Sequence, residues 1–244
     1  MTRAEALAAL SSVSVLPESI SLITRDGGVS KIITMIEEGL QMDNEAGTEV
    51  AKNGIQTLIY VAKASSGIKE IQLYGGVFSL FKALSHESLI LKRTTVECLV
   101  ECSFEPKYRN QISNAKLVRT LLSLFQLKDL KIANDVARVL GNLSDITSVK
   151  ETLQLEGGIK MILGLLSQRD TDLSLVLMKM MLNLSSNKEI AKNACNIGFV
   201  KKIGQFLRSD NNEMRKYASK NLFIIVSEFQ RSRETIIIFW FRAE

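Results

Sequence analysis

The segment Glu156–Leu166, EGGIKMILGLL, places two glycines directly before an apolar run with helical spacing. A glycine pair that opens a helix can hold a phosphate, or it can form a tight corner between two helices. A Walker loop requires Gly-x-x-x-x-Gly-Lys followed by Ser or Thr, and a dinucleotide loop requires Gly-x-Gly-x-x-Gly, and this sequence contains neither. The pattern therefore favours a corner, in which a left-handed glycine ends one helix and the next helix leaves at a steep angle.

The same corner recurs along the chain as DGGVSKIITMI and YGGVFSLFKAL, with degenerate copies AKLVRTLLSLF and GFVKKIGQFL. The first β-branched residues of the copies are separated by 48, 41, 41 and 41 residues, and they are Val29, Val77, Val118, Ile159 and Val200. A period near 41 is typical of solenoid repeats built from helices. One copy has Lys116 and Leu117 in place of the glycines, so we expect a looser corner there.

Each repeat is predicted to contain a short helix, the glycine corner, a second helix, a polar loop and a long third helix. Pro17 and Pro106 lie 12 residues before their anchors, at a position where proline opens a helix. The first full repeat is longer, and its extra residues fall in EEGLQMDNEAGTE, 37–49, which we predict to be a lengthened loop. In the third helices, two columns are expected to face inward: Leu99, Leu140, Met181 and Leu222, and Cys102, Leu143, Leu184 and Ile225.

The period, the corner and the third-helix endings VLGNLS and MLNLSS resemble the armadillo repeat. The resemblance implies an all-α, right-handed alpha-alpha superhelix, in which third helices line a concave groove. It also implies a single domain over 1–244, with repeats 16–63, 64–104, 105–145, 146–186 and 187–227 and partial repeats 1–15 and 228–244. HEAT repeats are the nearest rival architecture, but they usually lack the glycine corner and the third-helix asparagine.

The resemblance implies that Asn142 and Asn183, each 24 residues after its anchor, hold the backbone of an extended peptide. The alternative is that these amides satisfy a neighbouring helix end. Charged columns lie four and eight residues earlier, on the same helix face. The predicted partner-binding groove comprises Arg93, Glu97, Arg138, Asn142, Lys179, Asn183, Lys216 and Lys220.

The groove charges indicate an acidic partner. Import receptors of the importin-α type place a Trp four residues before such asparagines, whereas this chain has Arg138 and Lys179 there and its one Trp is Trp240. The groove looks more like the β-catenin type, so we expect a non-catalytic scaffold that binds an acidic, extended or helical protein segment. The whole net charge of +5 arises between Val200 and Arg233, from eight Lys or Arg and three acids. The alternatives are a regulatory subunit of an enzyme, such as a GTPase exchange or ubiquitin-ligase accessory factor, and a nuclear transport adaptor.

The sequence offers no pattern for catalysis, a cofactor or a metal. The single histidine, His86, is predicted in a surface loop, and the acid pairs Glu37–Glu38 and Asp170–Asp172 are predicted in loops between helices. The three cysteines, Cys98, Cys102 and Cys195, have no disulfide or zinc spacing and are expected to be core thiols. Nucleic-acid binding is disfavoured because the basic region lacks interleaved aromatic residues.

The longest apolar run, Ile236–Phe241, is too short to span a bilayer, so no membrane span is expected. An odd number of cysteines fits a reducing compartment, so we expect a cytoplasmic protein, with the nucleus as an additional location. The chain is expected to start inside a third helix and to stop in a first helix, SRETIIIFWFRAE. Early termination, self-association through this apolar end and a divergent cap remain open explanations, and the oligomeric state stays open with them.

Overall fold

The structure, a computed structural model, describes residues 2–25, 27–42, 44–167 and 170–230, with backbone alone for Pro17, Tyr108, Phe229 and Gln230. The described residues form sixteen α-helices and two single-turn 3-10 helices, and they contain no strand. The all-α prediction is therefore confirmed. The contacts divide the chain into two compact units, residues 1–120 and 121–244, so the single domain over 1–244 stays a prediction.

The first unit contains one isolated helix, two complete helix triplets and the start of a third. Its helices are α1 (Arg3–Val13), α2 (Pro17–Arg25), α3 (Gly28–Gln41), α4 (Glu45–Val61), α5 (Ser65–Leu73), α6 (Gly76–Leu84), α7 (Leu89–Phe104) and α8 (Arg109–Ile112), and α9 (Ala115–Leu124) begins here. Pro17 opens α2, and Pro106 opens the 3-10 turn before α8, as predicted. The long helices α1, α4 and α7 pack side by side in that order.

The second unit repeats the same triplet. Its helices are the end of α9, α10 (Leu130–Leu143), α11 (Thr147–Leu155), α12 (Gly158–Leu165), α13 (Thr171–Leu184), α14 (Lys188–Asn196), α15 (Phe199–Phe206) and α16 (Asn212–Gln230). The long helices α10, α13 and α16 again pack side by side. The apolar end of the chain, residues 231–244, lies outside the described residues, so the predictions about Trp240 and self-association stay predictions.

The core of each unit lies beneath the long helices. Both predicted inward columns are buried, with the exception of Leu222, which is half-buried. Burial of a Leu, Ile or Met side chain contributes about 1.5–3 kcal/mol, so these columns are a main source of stability. The apolar periodicity of the third helices therefore identified the core face correctly.

The glycine corners have the predicted left-handed backbone. Gly157 has φ 67° and ends the turn after α11, while a Cβ on Gly158 would lie 2.9 Å from the carbonyl oxygen of Leu153. The first glycine therefore supplies the conformation, and the second allows a close approach to the end of the preceding helix. The corners at Gly27, Gly75 and Gly198 have φ values of 67°, 76° and 95°.

The corner that lacks glycines uses a different device. Lys116 and Leu117 lie inside α9, which begins at Ala115. The side chain of Asn114 accepts a hydrogen bond from the Leu117 N–H at 2.9 Å, so an asparagine caps this helix start.

The predicted lengthened loop at 37–49 is wrong, because α3 extends to Gln41 and α4 begins at Glu45. A Cβ on Gly39 would lie 2.7 Å from the carbonyl oxygen of Gly47, so these glycines permit the two helices to approach closely. The pair Glu37–Glu38 therefore lies in a helix, and Glu37 accepts a hydrogen bond from Ser79 at 2.8 Å.

Candidate protein-binding surface

Polar residues at a spacing of 41 fix the starts of the long helices in the second unit. Asp129 accepts from the Ile132 N–H at 3.0 Å, and Asp170 accepts from the Leu173 N–H at 3.0 Å. Asn211 makes the same contact at the start of α16, 3.1 Å from the Met214 nitrogen. Asp170 is the N-cap of α13, whereas Asp172 lies in the first turn of that helix, so the prediction that both acids lie in a loop is wrong for Asp172.

Cations line the exposed face of these three helices. The side chains of Arg138 on α10 and Lys179 on α13 are each 42% exposed, and Lys216 and Lys220 on α16 are exposed. A guanidinium nitrogen of Arg138 lies 3.5 Å from a carboxylate oxygen of Asp135, which is almost buried. All four predicted cationic groove residues of the second unit are therefore accessible from solvent.

Three of these cations converge on one aromatic ring. The Nζ atoms of Lys179, Lys216 and Lys220 lie 5.0, 5.9 and 5.7 Å from the centroid of Tyr217. Glu213 is the nearby acid, with its Oε2 3.6 Å from Lys179 Nζ. In the part of the chain that the structure describes, no carboxylate forms an ion pair with Lys216 or Lys220. We call Lys179, Lys216, Lys220 and Tyr217 the lysine cluster.

The lysine cluster brings three like charges close together. Since each ammonium lies within 5.9 Å of the same centroid, no two of them are farther apart than about twice that distance. Two cations at such a separation repel by roughly 0.5–1.5 kcal/mol at a protein surface, and an exposed cation–π contact returns about 0.5–1 kcal/mol. The exposed pair with Glu213 adds at most about 1 kcal/mol. An anion that binds here would relieve the repulsion.

The predicted asparagines lie on the same face. Asn183 is exposed, and its Nδ2 donates to Ser144 Oγ at 3.0 Å. Ser144 is the C-cap residue of α10, so the amide nitrogen bonds a side chain at the end of the neighbouring long helix. Within the described residues, Asn183 Oδ1 accepts no hydrogen bond and is available to a ligand. Asn142 is half-buried on α10, one turn after Arg138.

The equivalent positions one repeat later, on α13 and α16, have the serine but lack the asparagine. Ile224 stands 41 residues after Asn183, and Ser185 stands 41 residues after Ser144. The Ser185 hydroxyl is buried and has no hydrogen-bond partner in the described part of the chain. The Asn–Ser contact is therefore a repeat-to-repeat hydrogen bond that is present on α13 and missing on α16.

The other two predicted groove residues belong to the first unit. Arg93 is exposed and Glu97 is half-buried, and they lie one turn apart on α7. They therefore share a face of that helix, on which a cation is followed by an acid. The other four cations of the predicted groove all belong to the second unit.

Other basic residues of the C-terminal region have structural roles. Lys202 Nζ donates to the Leu166 carbonyl oxygen at 2.7 Å, and Arg215 donates to the Ser209 carbonyl oxygen at 2.6 Å. Both bonds satisfy carbonyl groups near helix ends. Lys202 and Arg215 are therefore engaged by the protein itself, and the lysine cluster is a separate, solvent-accessible group of cations.

The remaining titratable candidates are a loop histidine and three cysteines. His86 lies between α6 and α7, and its Nδ1 accepts from the Ser88 N–H at 3.1 Å. All three cysteines are buried. The hydrogen bond that the Cys98 thiol makes to Cys102, together with burial, raises the pKa of Cys98, and burial raises the pKa of Cys195 to about 11. Among the residues that the structure describes, no three His, Cys, Asp or Glu side chains are grouped to hold a metal ion.

Similarity to known proteins supports the fold. An engineered protein of known structure is 23% identical, with a TM-score of 0.81 over 92% of this chain and 90% of that chain. A designed armadillo repeat protein is 18% identical, with a TM-score of 0.81 over 91% of this chain and 92% of its own. The fold is that of an armadillo repeat protein. A second designed armadillo repeat protein, solved in complex with the peptide (KR)4, is 16% identical, with a TM-score of 0.78 over 91% of each chain.

Comparison of the sequence with known proteins finds less than comparison of the structure. The chain matches no known family model. It is 25% identical over 124 residues to outer dynein arm-docking complex subunit 2 of Bos taurus, a match that covers 50% of this chain and 12% of that protein. The chain therefore spans about an eighth of the length of this relative.

Sequence reasoning missed Tyr217 as the centre of the lysine cluster. Its signal is an offset of 38 residues from Lys179, about one helical turn less than the armadillo period. The Asn183–Ser144 contact has a similar offset of 39. Residues 41 positions apart are equivalent in successive repeats. Residues that touch each other on neighbouring long helices are instead 38 or 39 positions apart, so an alignment of equivalent positions does not reveal them.

Proposed function

We propose that this armadillo protein is a non-catalytic scaffold that binds an acidic, extended segment of another protein along the exposed face of α10, α13 and α16. The observation that carries the proposal is the row of exposed cations on three adjacent long helices, with three ammonium groups around one tyrosine. The armadillo fold is commonly a peptide-binding scaffold. Asn142 and Asn183 would contribute polar contacts to the peptide backbone, with Asn183 Oδ1 as an acceptor.

Charge complementarity sets the partner chemistry. Arg138, Lys179, Lys216 and Lys220 would attract carboxylates and speed encounter, and they would repel a lysine-rich signal. This arrangement is closer to the β-catenin type of groove than to the importin-α type. In the first unit, Arg93 and Glu97 would contact a different part of the partner or remain outside the interface.

Similarity to a docking-complex subunit supports the scaffold class. The bovine relative is named as a subunit of an outer dynein arm-docking complex, and the match covers one short part of it. We infer only that this chain also brings proteins together. None of the described helices combines the length and apolar character required to cross a membrane.

The test measures binding of a fluorescent glutamate-rich peptide to the wild-type protein and to the Lys179→Glu, Lys220→Glu variant. We expect the variant to weaken binding at least about tenfold, with most of the loss in the association rate, and wild-type affinity to fall steeply as salt rises. The matched control is Lys188→Glu, Lys192→Glu, which reverses two exposed charges on α14.

Two results would overturn the proposal. One is equal affinity of the wild-type protein and the groove variant for the acidic peptide. The other is preferential binding of the Lys-Arg repeat peptide, which would indicate the recognition of basic signals that a transport adaptor performs.

A further inference from the structure

We propose that the lysine cluster is a subsite for a phosphorylated side chain in the partner segment. This inference rests on the proposed function and adds the chemistry of one position in the bound segment. It assigns a distinct role to Tyr217, which holds three ammonium groups from two helices in one place.

The charge of the cluster matches a phosphate monoester better than a carboxylate. Three lysines and Glu213, the one acid that forms an ion pair with them among the described residues, leave two net positive charges. A phosphorylated residue carries about −1.5 to −2 charges and three strong acceptor oxygens. Each ammonium has three donors and no acceptor, so three lysines can approach different oxygens of one phosphate. A carboxylate would neutralise only about half of the charge.

The surroundings favour a peptide as the carrier of the phosphate. Asn183 lies one turn from Lys179 on the same helix, and its Oδ1 is available to accept a backbone N–H. An extended segment could therefore place a backbone amide on Asn183 and the next side chains on the lysine cluster. The Tyr217 ring is covered by ammonium groups, so it is poorly placed to stack a nucleic-acid base.

The cluster is built on a rigid base. Tyr217 is half-buried on α16, directly beside Lys216 and one turn before Asn221, which is fully buried. Asn221 Nδ2 donates to the Met178 carbonyl oxygen at 3.0 Å, which ties α16 to α13 next to Lys179. The two helices that carry the lysines are therefore held together beneath the cluster.

The experiment compares three synthetic peptides of one Glu-, Ser- and Gly-rich sequence that carry Ser, Glu or phosphoserine at the central position. We expect the phosphoserine peptide to bind the wild-type protein about tenfold more tightly than the Glu peptide. The Lys216→Ala, Lys220→Ala variant should reduce that preference to less than about twofold, while Lys192→Ala on α14 should retain it.

A second measurement remains informative if the double variant fails to fold. Inorganic phosphate should displace the phosphoserine peptide from the wild-type protein more effectively than sodium chloride at equal ionic strength. Equal binding of the Glu and phosphoserine peptides would overturn the phosphate subsite and leave the scaffold proposal standing. Failure of every acidic peptide to bind would overturn the scaffold proposal itself.

The same assay separates other phosphate carriers. Phosphatidylcholine vesicles that contain a phosphoinositide, and a single-stranded oligonucleotide, are tested beside the peptides. Tighter binding of either than of the phosphoserine peptide would overturn the assignment to a protein segment.

Discussion

Two serines at equivalent positions of neighbouring repeats should respond in opposite ways to the same substitution. Ser144 and Ser185 both follow the last residue of a long helix, and both are fully buried. Ser144 Oγ donates to the Gly141 carbonyl oxygen at 2.6 Å and accepts from Asn183 Nδ2 at 3.0 Å. Ser185 Oγ has no partner among the described residues, and Ile224 occupies the place of the asparagine that would donate to it.

The size of the difference follows from these contacts. Ser144→Ala removes two hydrogen bonds that contribute about 1 kcal/mol each, so we expect a loss of roughly 1–2 kcal/mol in the free energy of unfolding. Ser185→Ala removes a buried hydroxyl that already lacks its hydrogen bonds, so it should be neutral or stabilise by up to about 1 kcal/mol. The two alanine variants should therefore differ by about 2 kcal/mol.

The assay is urea and thermal unfolding of the wild-type protein and both variants, followed by circular dichroism at the helical band. For a chain of this size, a loss of 1 kcal/mol lowers the melting temperature by about 2–4 °C, so the difference is measurable. Ile224→Asn provides the complementary change, since it offers Ser185 the missing amide, and its effect should depend on whether residue 185 is serine. If Ser185→Ala destabilises as much as Ser144→Ala, the assignment of the Asn–Ser bond as a repeat-to-repeat contact is wrong.

Further predictions concern the glycines and a thiol, each measured by the same unfolding assay. Gly157→Ala should cost about 1 kcal/mol because of its left-handed backbone, and Gly158→Ala should cost more, because its Cβ would approach the Leu153 carbonyl. Gly47→Ala should lower stability by several kcal/mol, since its Cβ would lie 2.6 Å from the Gly39 carbonyl oxygen, whereas a loop residue would tolerate the change. Burial raises the pKa of Cys195 to about 11, so stability that is present below pH 9.0 should decline between pH 9.0 and about 11, and Cys195→Ala should reduce that decline.

The repeat architecture was predictable because it depends on short-range sequence signals. A positive φ requires glycine at positions such as Gly157, and the inward columns follow from helical periodicity. Both signals recur every 41 residues, so each copy reinforces the others.

The helices around 37–49 were not predictable from the same signals. The sequence pattern predicts that Gly39 and Gly47 are loop residues, but in the structure they allow close packing between α3 and α4. Glycine alone does not distinguish a turn from a close helix contact, because both exploit its missing side chain. Tyr217 was missed for a related reason. Which side chains meet across two neighbouring helices depends on how far the helices are shifted along each other, and the repeat alignment of the sequence does not give that shift.

The proposed interface can be examined at single-residue level by cross-linking the acidic peptide to the wild-type protein with a carbodiimide. This reagent joins carboxylates to amines without a spacer. Peptide mapping by mass spectrometry should place most cross-links on Lys179, Lys216 and Lys220, and few on the exposed lysines Lys188 and Lys192 of α14. Cross-links distributed evenly over all of these lysines, or concentrated on α14, would show that the face of α10, α13 and α16 is not where the acidic segment binds.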